Sequence, residues 1–324
     1  MPNIITHTLF ADEFLQEASP SLKEWLEPRR QLVEIGSNGP DFLFFHGLSP
    51  SRLFQKSELG RLGNTVHATK SKEFYQKALQ CIRKEKDQTI QADMKAYVLG
   101  HLLHWCLDST AHPYVYYRTG HGQAINSWWH HRFESLIDAI ILKVKREQTI
   151  QDYQAYTITM ASLEQVRAIA RIYVPIARDV YGAQIRPYQI KESLEDWTFM
   201  EKLFYDASGK KFETSFRIER LIGLESMISG FFVPNTPEDP FDTMNLLHRE
   251  WIHPCDDSIR STESFFDLYE RAMDKAFHVI GLFLDALDQP EREEDFLSYI
   301  GNKDYNTGLD DNRKMRFFDP VFEQ

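Results

Sequence analysis

Residues 89–109 constrain this chain more than any other stretch. Ile90, Met94, Tyr97, Val98, Leu102 and Trp105 recur at helical spacing, and His104 and Asp108 stand one turn apart within that apolar pattern. A second stretch, 124–147, repeats the arrangement. There Ile125, Trp128, Trp129, Phe133, Ile137, Ile140, Ile141 and Val144 surround His130 and Glu134. A helix that places an imidazole and a carboxylate among large apolar side chains must satisfy them internally. A neutral imidazole and a carboxylate one turn apart can grip the same divalent ion without bending the backbone. One His-xxx-Asp pair alone more often marks a surface hydrogen bond. Two pairs on successive helices, with His112 between them, point to a metal centre.

The rest of the chain is helical in period as well. Helices are expected over 21–35, with a break near Pro28, and over 70–85, 161–181, 212–230, 262–287 and 291–299. The long one starts at Ser261 or Thr262. His112-Pro113 is expected to end the 89–109 helix, because the residue before a proline is pushed out of the helical region. No strand alternation of useful length competes. The expected fold class is therefore all-α, a multi-helical bundle. Residues 1–190 read as a metal-binding helical core. Residues 191–324 read as a helical C-terminal extension packed on it as one compact unit. The segment PNTPEDP (234–240) reads as a loop or boundary. The polar tail after 300 reads as a loosely packed strap.

Composition narrows the function classes. The 324 residues carry a net charge of −11, which disfavours a dedicated binder of duplex nucleic acid. A small phosphate-bearing substrate stays open, because a local site can differ in sign from the whole. Cys81, Cys106 and Cys255 lie far apart with no CxxC pair, so a thiolate zinc site is excluded and a reducing compartment fits. The start, MPNIITHTLFADEF, shows no secretory signal, and no apolar run reaches the about 20 residues a bilayer needs. The expectation is a cytoplasmic protein without stable membrane insertion. A His-Asp phosphohydrolase needs an adjacent His-Asp dipeptide, and none occurs. A ferritin-like di-iron site needs two Glu-x-x-His motifs, and Glu250-x-x-His253 stands by itself.

GSNGPDFLFF, LGNTVH, HWCLDSTAHPY and HHRFE, in this order, resemble the zinc-dependent phospholipase C family, which is related in fold to the fungal single-strand-specific zinc nucleases. The match runs through His7, Asp41, His67, His104 with Asp108, His112, and His130 with Glu134. The resemblance implies a mostly helical fold around two or three Zn²⁺ ions, with additional C-terminal helices here. One ion would take Asp41, His67, His104 and Asp108. A second would take His112, His130 and Glu134. A third would take His7 and share Asp108 as a bridge. In secreted members the mature N-terminal residue completes that third site; here Met1-Pro2 stand before His7 instead. The implied activity is hydrolysis of a small phosphodiester or phospholipid headgroup by a metal-activated water, with Asp41 as ligand, general base or both. A nuclease or nucleotidase on the same cluster is the alternative within enzymes. A non-catalytic, metal-stabilised helical binding protein is the alternative outside them.

Other polar residues carry double readings. His101 shares the stripe of His104 and Asp108 and reads as support for them or as a satisfied core residue. Asp138, one turn past Glu134, reads as a hydrogen-bond partner of a ligand imidazole or as part of a solvated face. His46 and His121 are alternates for His67 or His112. Tyr114, Tyr116 and Tyr117 read as cleft lining or core. Arg118, Arg132 and Arg249 read as phosphate contacts or surface residues.

Overall fold

A computed structural model describes residues 4–52, 57–221, 228–236, 238–311 and 313–323. The chain is mostly helical. The helices are α1 (Ile4–Glu17), α2 (Pro20–Leu26), α3 (Arg30–Gly36), α4 (Leu59–Ala68), α5 (Ser71–Lys84), α6 (Gln88–Thr119), α7 (Ala124–Arg146), α8 (Leu163–Asp179), α9 (Pro187–Phe204), α10 (Lys210–Leu221), α11 (Phe265–Asp288) and α12 (Glu293–Ile300). Between α10 and α11 lies an antiparallel hairpin, β1 (Trp251–His253) with β2 (Asp256–Ser261).

Helix α6 is the axis of the molecule. From Ala96 to Val115 it is buried without a break, so other elements cover every side of it. Helix α3 crosses it at a glycine pair. A Cβ on Gly36 would lie 2.3 Å from the Tyr97 carbonyl, and one on Gly100 would lie 2.3 Å from the Val33 carbonyl. This close approach sets the end of α3 against the middle of α6. The main hydrophobic core runs from Ile4 through α11 and α12 to Val321, so residues on both sides of position 190 share it. No helix among the described residues is long and apolar enough to cross a membrane.

Proline 113 does not end α6. The helix continues six residues beyond it to Thr119. Proline removes the donor that the Ser109 carbonyl would have used. That carbonyl is closely covered by Gly308, where a Cβ would lie 2.2 Å from it. The hydroxyls of Ser109 and Thr110 donate back to the carbonyls of Trp105 and Cys106. With the whole turn enclosed, tertiary packing overrides the local preference.

Other elements also depart from the sequence pattern. Helices α1, α4 and α9 lie outside the expected set. The expectation of no strands fails at the short hairpin. Ser261 belongs to β2, and α11 instead begins after Ser264, whose hydroxyl accepts from Asp267 N in a capping box. Helix α10 covers the first part of the 212–230 expectation; residues 222–227 lie outside the described set, and a short 3₁₀ turn follows at Ser229–Phe231. The tail after 300 is not loosely packed. Tyr305 is 1% exposed, and its backbone N–H donates to the His67 carbonyl at 2.9 Å.

Candidate metal centre

Five segments bring the eight ligand candidates together. Because α6 runs through Pro113, His104, Asp108 and His112 fall at successive turns on one stripe. Helix α7 presents His130 and Glu134, one turn apart and antiparallel to that stripe in sequence order. Helix α1 supplies His7, the last turn of α4 supplies His67, and the short 3₁₀ turn after α3 supplies Asp41. All eight side chains are buried.

The contacts form one connected chain of groups. His67 Nε2 lies 3.0 Å from Asp41 Oδ1, and His104 Nε2 lies 3.7 Å from the same oxygen. His104 Nε2 is 2.9 Å from Asp108 Oδ2, and His7 Nε2 is 3.1 Å from Asp108 Oδ1. His112 Nδ1 is 3.7 Å from Asp108 Oδ2, and its Nε2 is 3.5 Å from Glu134 Oε1. His130 Nε2 closes the chain at 3.0 Å from Glu134 Oε1. Three sets offer ligand atoms within 4.8 Å of one another and could each hold a metal ion: Asp41–His67–His104, His7–His104–Asp108 and His112–His130–Glu134. Geometry thus groups His7 with His104 as well as with Asp108.

The opposite edge of four rings fixes their tautomer. His67 Nδ1 donates to the Gly63 carbonyl at 2.8 Å, His104 Nδ1 to the Ser37 carbonyl at 3.2 Å, and His112 Nδ1 to the Tyr305 carbonyl at 2.8 Å. A carbonyl can accept and never donate, so each Nδ1 carries a proton and Nε2 is the nitrogen turned to the cluster. The Thr119 hydroxyl donates to the Val115 carbonyl, which leaves its oxygen to accept from His130 Nδ1 at 3.4 Å.

Most of the inward atoms only approach one another and make no regular hydrogen bond. His7 Nδ1 and Nε2, Asp41 Oδ1, His67 Nε2, His104 Nε2, both Asp108 oxygens and His112 Nε2 are all buried without one. Each such atom costs about 1–3 kcal/mol, against a total folding stability of about 5–15 kcal/mol for a domain. Divalent cations would remove that cost, and the donor set of imidazole nitrogen and carboxylate oxygen suits zinc. The residues present therefore fit the group.

The charge states agree. Burial by itself would raise the Asp108 carboxyl, yet His104, His112 and His7 hold it well below the usual range. Glu134 is likewise held low by His130 despite its burial. Burial lowers His7 to about 4, aided by His104, and lowers His130 to about 4. Neutral imidazoles beside ionised carboxylates are the forms that metal binding requires. His104 runs the other way: burial opposes its proton, but Asp108 and Asp41 raise its pKa.

Neighbouring residues sort into support and cleft. His101 is a satisfied core residue, with Nδ1 3.0 Å from the Tyr75 hydroxyl and Nε2 3.1 Å from the Tyr173 hydroxyl. Asp138 touches no ligand imidazole and is not solvated. It is fully buried and accepts from Ile5 N at 3.2 Å, Thr6 N at 2.8 Å and Thr6 Oγ1 at 2.5 Å, at the start of α1. His46 bonds Ser57 and Glu192 instead of the cluster. Arg118 and Arg132 donate to the carbonyls of Phe241 and Phe232, and Arg249 lies near Asp242. Tyr114 is core, donating to the Thr243 carbonyl.

A cleft of about 750 Å³ opens onto His67 and His130. Phe44, Phe45, Tyr116 and Phe231 give it aromatic walls; Asn64, Gln123, Asn126 and Asn306 give it amides, and His121 sits at its edge. No Lys, Arg, Asp or Glu is among its described lining residues. Sequence reasoning missed the three carbonyls that aim the rings, above all that of Tyr305. One signal was present. Gly39 has φ +51°, and a Cβ there would lie 2.2 Å from His104 Cδ2, so the Asn38-Gly39 turn makes room for the ligand ring.

No family model matches the chain, and neither a curated protein nor a solved structure matches it.

Proposed function

We propose that this chain is a zinc-dependent phosphodiester hydrolase of the phospholipase C type. The observation that carries the reading is the buried cluster of inward imidazole and carboxylate atoms, with His7, Asp41, His67, His104, Asp108 and His112 each offering an atom that makes no regular hydrogen bond, beside an open cleft. Asp41, His67 and His104 would hold one ion, His112, His130 and Glu134 another, and His7 with His104 and Asp108 a third. When bound, such ions supply Lewis acidity and lower the pKa of a coordinated water from 15.7 towards about 7.

The chain's own residues do the rest. The carbonyls of Gly63, Ser37 and Tyr305 hold three ligand rings in the productive tautomer. Asp41 turns Oδ1 to His67 and His104, and its Oδ2 is the atom assigned to take a proton from the attacking water. The aromatic walls of the cleft exclude solvent around the phosphoester and seat its neutral portion. Phospholipid headgroups are the first substrate class. A nuclease or nucleotidase is favoured by one feature: among its described lining residues the cleft offers four amide side chains and no carboxylate to pair with a quaternary ammonium.

The test is a zinc-supplemented substrate panel of bis-p-nitrophenyl phosphate, phosphatidylcholine, phosphatidylinositol and single-stranded oligonucleotides. Headgroup release without oligonucleotide cleavage supports the lipase reading, and the reverse result supports the nuclease. Full metal content without turnover of any member overturns the enzyme reading and leaves a metal-stabilised binding protein.

A further inference from the structure

The third ligand group differs from the other two in how its histidine is held. His67, His104, His112 and His130 each have a partner outside the cluster at Nδ1, whereas His7 has none: its Nδ1 makes no hydrogen bond and its Nε2 faces Asp108, at 3.1 Å. With no hydrogen-bond partner outside the cluster, the placement of His7 depends on the placement of α1. Helix α1 carries His7 in its first turn, where backbone N–H groups lack partners within the helix. Two of these, from Ile5 and Thr6, point at the Asp138 carboxylate, and the Thr6 hydroxyl joins them. Asp138 comes from α7, 132 residues away from Thr6 in sequence. It sits one turn past Glu134 and two past His130, on the stripe that serves the second ligand group.

We propose that Asp138 is a positioning residue for metal binding at His7: it pins the first turn of α1 to α7 and so sets His7 against Asp108 and His104. The proposal rests on the metal reading of the cluster, not on the hydrolase reading. Three donors converge on one fully buried carboxylate, and no cation forms an ion pair with it among the described residues. That donor set suits a carboxylate, and an amide can serve only part of it. The NH₂ of an asparagine would face N–H and O–H groups and would give up part of the set. The chain thereby uses three successive turns of α7 for one centre, two as ligands and one as the anchor of a ligand helix.

The test measures zinc per chain and affinity by titration of metal-free protein, with the visible spectrum of the cobalt-loaded protein as a second readout. Three proteins are compared: wild type, Asp138→Asn and Thr6→Val. The Asp138→Asn protein is expected to bind one ion equivalent fewer than wild type, or to hold that ion about tenfold to a hundredfold more weakly, with the remaining ions unchanged. Thr6→Val, which removes one of the three donors and leaves the carboxylate, should give a smaller loss of the same ion. Wild-type stoichiometry and affinity in both variants would overturn the positioning role while leaving the metal centre intact. Loss of all ions together, in step with unfolding of the metal-free variants, would assign Asp138 to general stability instead. A wild-type chain that takes up no ion would sink the metal reading and this proposal with it.

Discussion

Asp108 joins three of the histidines in the cluster. Its two oxygens face His7, His104 and His112, so removing them leaves three buried imidazoles without the charge that draws a cation. Asp108→Ala is expected to lose at least one ion and at least about a hundredfold in phosphodiesterase activity. Unchanged metal content and turnover would refute its central placement. Tyr173 is the contrasting residue. Its hydroxyl holds His101 Nε2, and Tyr173→Phe leaves that nitrogen buried without a partner. The expected cost is about 1–3 kcal/mol of stability, read as a lower thermal midpoint, with metal content unchanged. A loss of metal there would make His101 part of the centre. The spacing of His104 and Asp108 among apolar residues was enough to single them out. The role of Asp138 was not legible, because it acts on the backbone of a distant helix and backbone donors have no sequence signature.

At the scale of elements, the tail decides the geometry as much as α6 does. Tyr305 sends its carbonyl to His112 and its N–H to the His67 carbonyl, bridging two ligand groups through main-chain atoms. Gly308, with φ +66°, lies against the Ser109 carbonyl that Pro113 leaves without a donor. Gly308→Ala would place a methyl group 2.2 Å from that oxygen in a backbone region that favours glycine. The expected result is a stability loss of about 1–3 kcal/mol with weaker zinc binding, read by thermal melts and metal titration. Wild-type values in both would show that the tail merely covers the centre. Composition suggested a loose strap because its polar side chains were visible and its backbone bonds were not. Helix α1 was hidden for a related reason. Thr6, His7, Thr8 and Asp12 are buried along with its apolar residues, so no polar face marks its period. The hairpin was hidden by length, since β1 has three residues. Proline 113 misled because the rule is local and the covering of α6 is not.

The whole molecule carries −11, yet it encloses histidines that resist protonation. Burial lowers His7 and His130 to about 4 and His101 well below 6.5. In the metal-free chain these imidazoles stay neutral when folded and take protons when unfolded as pH falls below about 6.5. The unfolded state then binds more protons, so stability rises with pH across the window from about 4 to 6.5. Each such histidine contributes about 1.4 kcal/mol per pH unit there. His104 acts outside this window, above about pH 6.5. Its raised pKa gives stability that is present below about 6.5 and lost as pH rises through its folded value. His131, lowered by burial to about 3, joins His7, His130 and His101, while Asp138 and Glu201, raised by burial to about 7 and about 8, hold protons in the folded chain and oppose them. Among the groups shifted furthest, four histidines against two carboxyls set the net sign. The thermal midpoint of chelator-treated protein should therefore fall as pH is taken from 6.5 to 4. Zinc should raise the midpoint at pH 7 by adding about 2.7 kcal/mol of stability for each site at a hundredfold excess over its Kd, and lose that effect in acid as protons compete for the same nitrogens. A midpoint that is flat or rises toward pH 4, in wild type and in a Glu201→Gln variant that removes one opposing carboxyl, would mean that the inward nitrogens are solvated, and the buried cluster would no longer support a metal centre.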